Sequence, residues 1–516
     1  MNFVPDSQYS ALRTQGNRLK DWGVDMRRRT FCASTVAALA ATALPLRRAF
    51  AAADLPALGP DGAQLLLKPN AIDDLRAAMR GELLQAGQDG YDSARRVWNG
   101  AFDRHPALIA RCAGAADVVH AVNFGRDHGM LIAVRGGGHS LSGQSVCEGG
   151  LMIDLSPMKS VHVDPLAKTG RLEPGVLLGQ FDREAQAFGL ATTAGTVSHT
   201  GAAGLTLGGG FGRIGRRFGL ACDNMHAAEL VTADGKFVRA NDKENADLLW
   251  GLRGGGGNFG VVTSFEYRLH NVNPIVYGGA LLYPFSDAKE VLGFFADFIA
   301  KAPDELYVDA GIVSTPDGKR VVMFDVCYSG PIEGGERALA PLRKFRKPMV
   351  DGVRPMPYIE LQRSGDNNFP IGRAYYVKSG YVKHIEPKII DAVVEQLAGT
   401  QLLNTAVIFA HAGGAISRVN PNTAAFLHRD ANHSLVMMSY WDSPADRDAG
   451  MQWTRSAWSA IEPMTQGFYV NEVSNDDPER RIRANYGVSY DRLVKLKNRY
   501  DPKNLFRMNA NVKPSV

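Results

Sequence analysis

Cysteine is scarce in this chain, five residues in 516, and no two of them form a C-x-x-C pair. A structural zinc site or a dithiol redox centre needs closely spaced thiols, so both are excluded and no metal is expected. Cys32 falls near the N-terminus, while Cys112, Cys147, Cys222 and Cys327 stand far apart, and their spacing names no disulfide pair. Runs of Lys and Arg interleaved with aromatics are missing, and the formal net charge is only +5, which argues against a nucleic-acid partner. The N-terminal apolar run, Cys32 to Leu46, is short of the roughly 20 residues that span a bilayer. No short-period repeat or low-complexity stretch occurs. What is present is a globular composition, 45% hydrophobic and 22% charged, in a chain long enough for two domains.

The N-terminus reads as a targeting segment. Arg28-Arg29-Thr30-Phe31 precedes the apolar run, and Ala49-Phe50-Ala51 supplies an A-x-A cleavage site, so residues 1–51 are expected to be a twin-arginine signal. An ordinary Sec signal or a retained anchor is the alternative. The twin-arginine route carries folded proteins, which would suit a chain loaded with a cofactor before export to the periplasm or beyond. The mature chain is expected to have no membrane span.

Glycine is where the sequence is rich. Arg135 to Gly150 reads R-G-G-G-H-S-L-S-G-Q-S-V-C-E-G-G and follows Met130 to Val134, an apolar run suited to a buried parallel strand. Three bare glycines fit a turn whose N–H groups approach an anion, and His139, Ser140 and Ser142 come next. A histidine fixed in such a turn suits function more than core packing. Thr196 to Gly212 and Arg253 to Gly260 form two further clusters. They contain formal G-x-G-x-x-G spacings, Gly210–Gly212–Gly215 and Gly255–Gly257–Gly260. The second runs directly into the strand Val261 to Tyr267 instead of a helix, and neither has the context of a nicotinamide fingerprint.

These ordered motifs, with F-G-L-A-C-D-N (Phe218 to Asn224) and the closing Y-D-R-L-V-K-L-K-N-R-Y-D-P-K-N-L-F-R (Tyr490 to Arg507), resemble the vanillyl-alcohol oxidase superfamily and, within it, the berberine bridge enzyme family. The resemblance covers roughly residues 100–270 and 465–514, more weakly the segment between. It implies an α+β fold: a two-part FAD-binding domain over residues 52–270, an antiparallel-sheet-plus-helices substrate domain over 271–464, and a C-terminal segment, 465–516, that returns to the first. It also implies FAD attached through its 8α-methyl group to His139. The second attachment seen in many relatives, a cysteine, aligns with Val197, so a single link is expected. FAD contacts are implied at Arg135, Gly136, Gly137, Gly138, Ser140, Leu141, Gly143, Thr196, Gly201, Gly204, Leu205, Gly208, Gly209, Gly210, Val262, Asn471 and Asn509, with Gly136–Gly138 and Gly208–Gly210 expected at the pyrophosphate.

Residue patterns agree with that organisation. Residues 52–100 read as mixed and mostly helical, and Leu108 to Gly129 as strand then helix. Asp234-Gly235 marks a hairpin turn. After His270 the pattern changes to alternating strands at Val276–Tyr283, Leu306–Ser314, Lys319–Tyr328, Gly372–Val382, Thr405–Ala412 and Ser434–Trp441, with helices at Asp287–Ala302, Pro387–Leu397 and Asp446–Ile461.

The acid–base groups depart from the family. After the paired glycines Gly413-Gly414 stand Ser417 and Arg418, where the berberine bridge enzyme itself carries a glutamate base. Phe468-Tyr469-Val470-Asn471-Glu472 resembles a Tyr-x-Asn-Tyr element whose second tyrosine removes the substrate proton, and Glu472 replaces that tyrosine. Glu472 is either a buried base with a raised pKa or an exposed residue opening the loop that follows. Tyr469, a catalytic candidate beside Glu472, and Asn471 are expected to line the flavin site, His411 to be a core residue and Cys222 a buried small apolar one. The activity implied is oxidation of an alcohol, in a sugar, an aromatic alcohol or a secondary metabolite, by hydride transfer to FAD with dioxygen or another acceptor. A flavin-loaded binding protein with little turnover is the alternative.

Overall fold

The computed structural model describes residues 53–515; the expected twin-arginine signal and cleavage site lie outside the described residues. The glycine-rich half of the chain builds two small sheets. The first has four strands, Glu82–Leu84, Leu108–Arg111, Leu151–Asp154 and Ile132–Arg135 in spatial order, with Leu108–Arg111 and Ile132–Arg135 both parallel to Leu151–Asp154. The second has five antiparallel strands in the order Phe237–Asn241, Met225–Val231, Val261–Arg268, Thr169–Leu172, Val161–Asp164. Val261–Arg268 is buried along nearly its whole length, because the third glycine cluster feeds it between two layers.

The segment before residue 100 differs from its mostly helical reading. Leu55–Leu58 and Gln64–Leu67 pair as an antiparallel hairpin around Pro60-Asp61-Gly62, and Glu82–Leu84 is an edge strand, beside the helices Pro69–Ala78 and Tyr91–Arg95. Its leucines satisfy helix and strand spacing equally well, and the turn-forming Asp-Gly decides the matter.

From Ile275 onward one antiparallel sheet dominates. Its central order runs Ile275–Pro284, Arg320–Tyr328, Leu306–Ser314, Thr405–His411, His433–Trp441, Ala374–Val382. The period of two sorts its residues into faces. Leu306, Val308, Ala310 and Ile312, with Val407, Phe409, Leu435 and Met437, pack into one core against the helices Ala288–Ile299, Pro387–Ala398 and Arg447–Ile461. Burying each such aliphatic side chain stabilises the layer by about 1.5–3 kcal/mol. The intervening residues Tyr307, Asp309, Ile408, Ala410, Ser434 and Val436 therefore point to the opposite face, toward the glycine clusters.

Two buried ionic contacts tie distant segments together. Arg429 donates two hydrogen bonds, each 2.7 Å, to Asp223 of the F-G-L-A-C-D-N motif, with both side chains under a tenth exposed. Lys497, on the helix Tyr490–Tyr500, is fully buried and donates to Asp501 at 2.7 Å and to the carbonyls of Asn258 and Phe506 at 2.9 Å each. That clamp brings the C-terminal strap carrying Asn509 back to the third glycine cluster. Cys112, Cys147, Cys222 and Cys327 are all buried and free, with no disulfide among the described residues. No helix of the described residues is long and apolar enough to cross a membrane.

Candidate active site

A cavity of about 450 Å³ opens between the glycine clusters and the large sheet. Its first wall is the turn after Ile132–Arg135. Gly138 turns with φ +71°, in the left-handed region a side chain resists, and Gly137 lies so close to Gly201 that a Cβ on either would strike the other's backbone. These contacts force the two glycine-rich segments to cross with bare peptide groups facing the cavity. His139 emerges at this crossing. Its ring stacks on Trp98 with centroids 4.1 Å apart, and Trp98 stacks on Tyr375 of the sheet at 4.2 Å. Asn99 closes the same junction, donating to the carbonyls of Leu141 at 2.7 Å and Tyr375 at 3.0 Å. The histidine is thereby fixed against the substrate-side sheet.

Burial, together with the nearby His199, lowers the pKa of His139 to about 3, so its imidazole is neutral near pH 7. Its Nε2 is buried with no hydrogen-bond partner, as are Ser145 Oγ and Asn509 Oδ1 on the same cavity. Unpaired buried polar atoms are costly, and three on one concave surface fit a polar group docked there. Among the described residues no Lys or Arg lines the cavity, so an anionic cofactor would be met by backbone N–H groups, as the bare glycine walls allow. The residues present therefore fit FAD.

The expected contacts fall into two sets. Gly136, Gly137, Gly138, His139, Ser140, Leu141, Thr196, Gly201, Gly204, Leu205, Gly208, Val262, Tyr469, Asn471, Glu472 and Asn509 all line the cavity, as does Val197. Arg135, Gly143, Gly209 and Gly210 stand behind the wall instead. Arg135 lies behind the turn, its guanidinium against Gly138, bonded to the carbonyl of Ala94 and directed toward Asp154, 3.9 Å away. Gly143 rests on the Phe102 ring. Gly209 faces Phe426 and Tyr469, and the Gly210 N–H donates to Tyr469 Oη at 2.9 Å, so this glycine run reaches the cavity only at Gly208.

Tyr469 Oη also accepts from Asn471 Nδ2 at 2.7 Å, and Asn471 Nδ2 donates to the Leu205 carbonyl at 3.0 Å. The phenol is thus a fixed strut with its pKa raised by burial. Glu472 faces the cavity from the same short turn, Val470–Glu472, and accepts from Ser434 Oγ at 3.5 Å. Burial pushes its carboxyl up to about 8, and the neighbouring Asp309 carboxylate adds to the rise. The loop after it is tied to the sheet. Ser474 Oγ donates to the Val377 carbonyl, and Lys378 Nζ donates to Asp476 at 2.9 Å and Asp477 at 2.8 Å.

Sequence reasoning missed Trp98, Tyr375, Tyr307, Ser434 and above all Asp309. Asp309 faces the cavity from Leu306–Ser314, accepts from the His411 N–H at 2.7 Å, and is pushed by burial up to about 7. Its signal was visible in principle, since one acid interrupts an otherwise apolar alternating strand. His411 is a core residue; its Nδ1 accepts from the Val308 N–H at 3.3 Å.

Family models agree with this geometry: one described as FAD binding domain matches residues 106–241, and one described as berberine and berberine like matches 468–513. An FAD-linked oxidoreductase of Dictyostelium discoideum is 33% identical over 448 residues, covering 86% of this chain and 97% of the relative. The chain belongs to the berberine bridge enzyme-like FAD-linked oxidoreductases. A chitooligosaccharide oxidase of Gibberella zeae is 30% identical over 88% of this chain and 98% of its own. The solved 6-hydroxy-D-nicotine oxidase of Arthrobacter nicotinovorans superposes with a TM-score of 0.78 at 28% identity, covering 85% of this chain and 98% of that one. The α+β architecture of this family member, a flavin-binding portion plus a large sheet covered by helices on one face, is thus shared with its relatives. The chain is an FAD-dependent oxidoreductase.

Proposed function

We propose that this oxidoreductase is an exported oxidase that removes two electrons from an alcohol, with FAD held covalently by His139 alone. FAD, when bound, would supply the hydride acceptor and pass the two electrons to dioxygen as hydrogen peroxide. The observation that carries the reading is Glu472, a carboxylate set in the same cavity as His139 with its pKa moved into the range of a general base. Glu472 takes the proton of the substrate hydroxyl while the hydrogen on the adjacent carbon leaves as hydride. Ser434 and the tied loop after Glu472 hold the carboxylate in place, and the Tyr469–Asn471–Leu205 bonds fix the turn that carries it. His139, neutral and with a free ring nitrogen, has the lone pair that covalent attachment requires, and Val197 offers no thiol for a second bond. Export by the twin-arginine route rests on Arg28 and Arg29 with the A-x-A site, and it suits a protein loaded before transport.

The test is hydrogen peroxide release by the FAD-loaded protein across carbohydrates and phenolic and aliphatic alcohols. Peroxide with at least one alcohol class is expected. Bleaching of the flavin without peroxide would mean a different electron acceptor, and neither signal with any alcohol would overturn the oxidase reading.

A further inference from the structure

The substrate-side wall of the cavity has an unusual charge balance. Its charged residues are Asp309 and Glu472, both acids, and no Lys or Arg joins them among the described residues. The two belong to one arrangement. Antiparallel pairing sets Ala310 opposite Phe409, which puts Asp309 beside Ala410 one step along, and Ala410 pairs with Ser434. Glu472 meets that row from above, at Ser434 Oγ. Along that row the sheet places only the small side chains of Ala410 and Ser434 between Asp309 and the Glu472 carboxyl.

Neither acid is neutralised by a protein cation. Among the described residues neither takes part in an ion pair, and the nearby buried Arg213 is committed to Asp325 at 2.8 Å. Asp309 keeps two neutral donors, the His411 N–H and the Tyr307 hydroxyl beside it. Burial without a countercharge leaves both carboxyls holding their protons, and a cation bound between them would favour the ionised form. The rest of this wall is apolar and aromatic: Tyr375, Val377, Ile408, Val436, Met438 and Phe369. Such a surface lacks the many hydrogen-bonding groups that a polyhydroxylated ligand needs, and it would repel an anion.

We infer that the substrate is a compact aromatic or aliphatic alcohol bearing a protonated amine, with Asp309 as the specificity-determining residue that receives the cation. The inference rests on the oxidase reading for the fate of the hydroxyl, while the recognition of the amine stands on the acid pair and the apolar wall. Glu472, beside Ser434, remains free for the hydroxyl proton.

The experiment measures binding separately from turnover. Para-methylbenzylamine, para-ethyltoluene and para-toluate share size and shape but differ in charge, and none carries a hydroxyl. Their dissociation constants are read from the absorbance shift of FAD in the loaded protein under anaerobic conditions. The amine should bind about tenfold or more tighter than the neutral ligand, the scale of a hydrogen bond to a charged group, and the carboxylate weakest. Asp309→Asn, which keeps an acceptor for the His411 N–H, should bring the amine to within about twofold of the neutral ligand, given loss of that charge-assisted bond. Equal or weaker binding of the amine in the unaltered protein would overturn the inference, as would full preference in a flavin-loaded Asp309→Asn. A protein that prefers the amine yet oxidises no alcohol would support this inference and refute the oxidase reading. One that oxidises alcohols without the preference would do the reverse.

Discussion

Replacing Glu472 by glutamine tests the proposed chemistry most directly. The change conserves volume and leaves an oxygen to accept from Ser434, so the cavity should keep its shape. What it removes is a group whose pKa is about 8. A base works only when ionised. With that pKa, about one tenth of the carboxyl is ionised at pH 7 and about nine tenths at pH 9. The rate of flavin reduction by an accepted alcohol, followed by anaerobic stopped-flow absorbance, should therefore climb about tenfold over that interval in the unaltered protein. Glu472→Gln should be flat with pH and slower by about 10²-fold at pH 9, the usual loss on deleting a general base, with a smaller gap at pH 7. Asp309→Asn should move the midpoint of the climb downward, because the Asp309 charge helps hold the Glu472 proton. Flavin content should be unchanged in both. A Glu472→Gln protein that retained the rate and its pH dependence would refute the assignment. Tyr469 would be a poor replacement, since its Oη already accepts from Gly210 and Asn471 and burial raises its pKa further.

Other consequences follow from the same geometry. Acid-denatured protein should keep its yellow colour in the pellet, and His139→Ala should release all of it; colour persisting in the variant's pellet would require a second bond. The raised carboxyls predict a pH dependence of stability. Both Glu472 and Asp309 hold a proton in the folded state that the unfolded chain releases near its ordinary carboxylate pKa, so their contribution is full below about pH 4 and is lost as pH rises through 7 to 8. The melting temperature should fall across that window, and less steeply in a Glu472→Gln/Asp309→Asn double variant; equal slopes would contradict the shifts. Lys497→Met strands Asp501 as a buried unpaired charge and should cost about 3–5 kcal/mol in denaturant unfolding, with weakened flavin retention as the C-terminal strap loosens. Replacing Arg28 and Arg29 by lysine should leave flavin-loaded protein in the cytoplasm, and undiminished export would rule out the twin-arginine route.

Much of this protein was legible from its sequence because its constraints are local. A glycine run with a histidine at its end can only be a tight turn with bare peptides, and the alternation of Leu306 to Ser314 or Ser434 to Trp441 states a two-faced strand whatever surrounds it. The replacement of the family's tyrosine by Glu472 is likewise a fact of the linear chain. Residues 55–67 were harder, since a leucine-rich stretch satisfies helix and strand spacing alike until its turn is recognised. What the sequence could not decide was which residues meet. Asp309 and Glu472 stand 163 positions apart in the chain, and only strand register and the return of the C-terminal strap set them on one cavity. Trp98 joins His139 to Tyr375 in the same way, through packing across three distant segments. The choice between an exposed and an enclosed Glu472, and with it the pKa of its carboxyl, also belonged to the tertiary structure. Burial is a property of everything packed around a group, and no stretch of neighbouring residues specifies it.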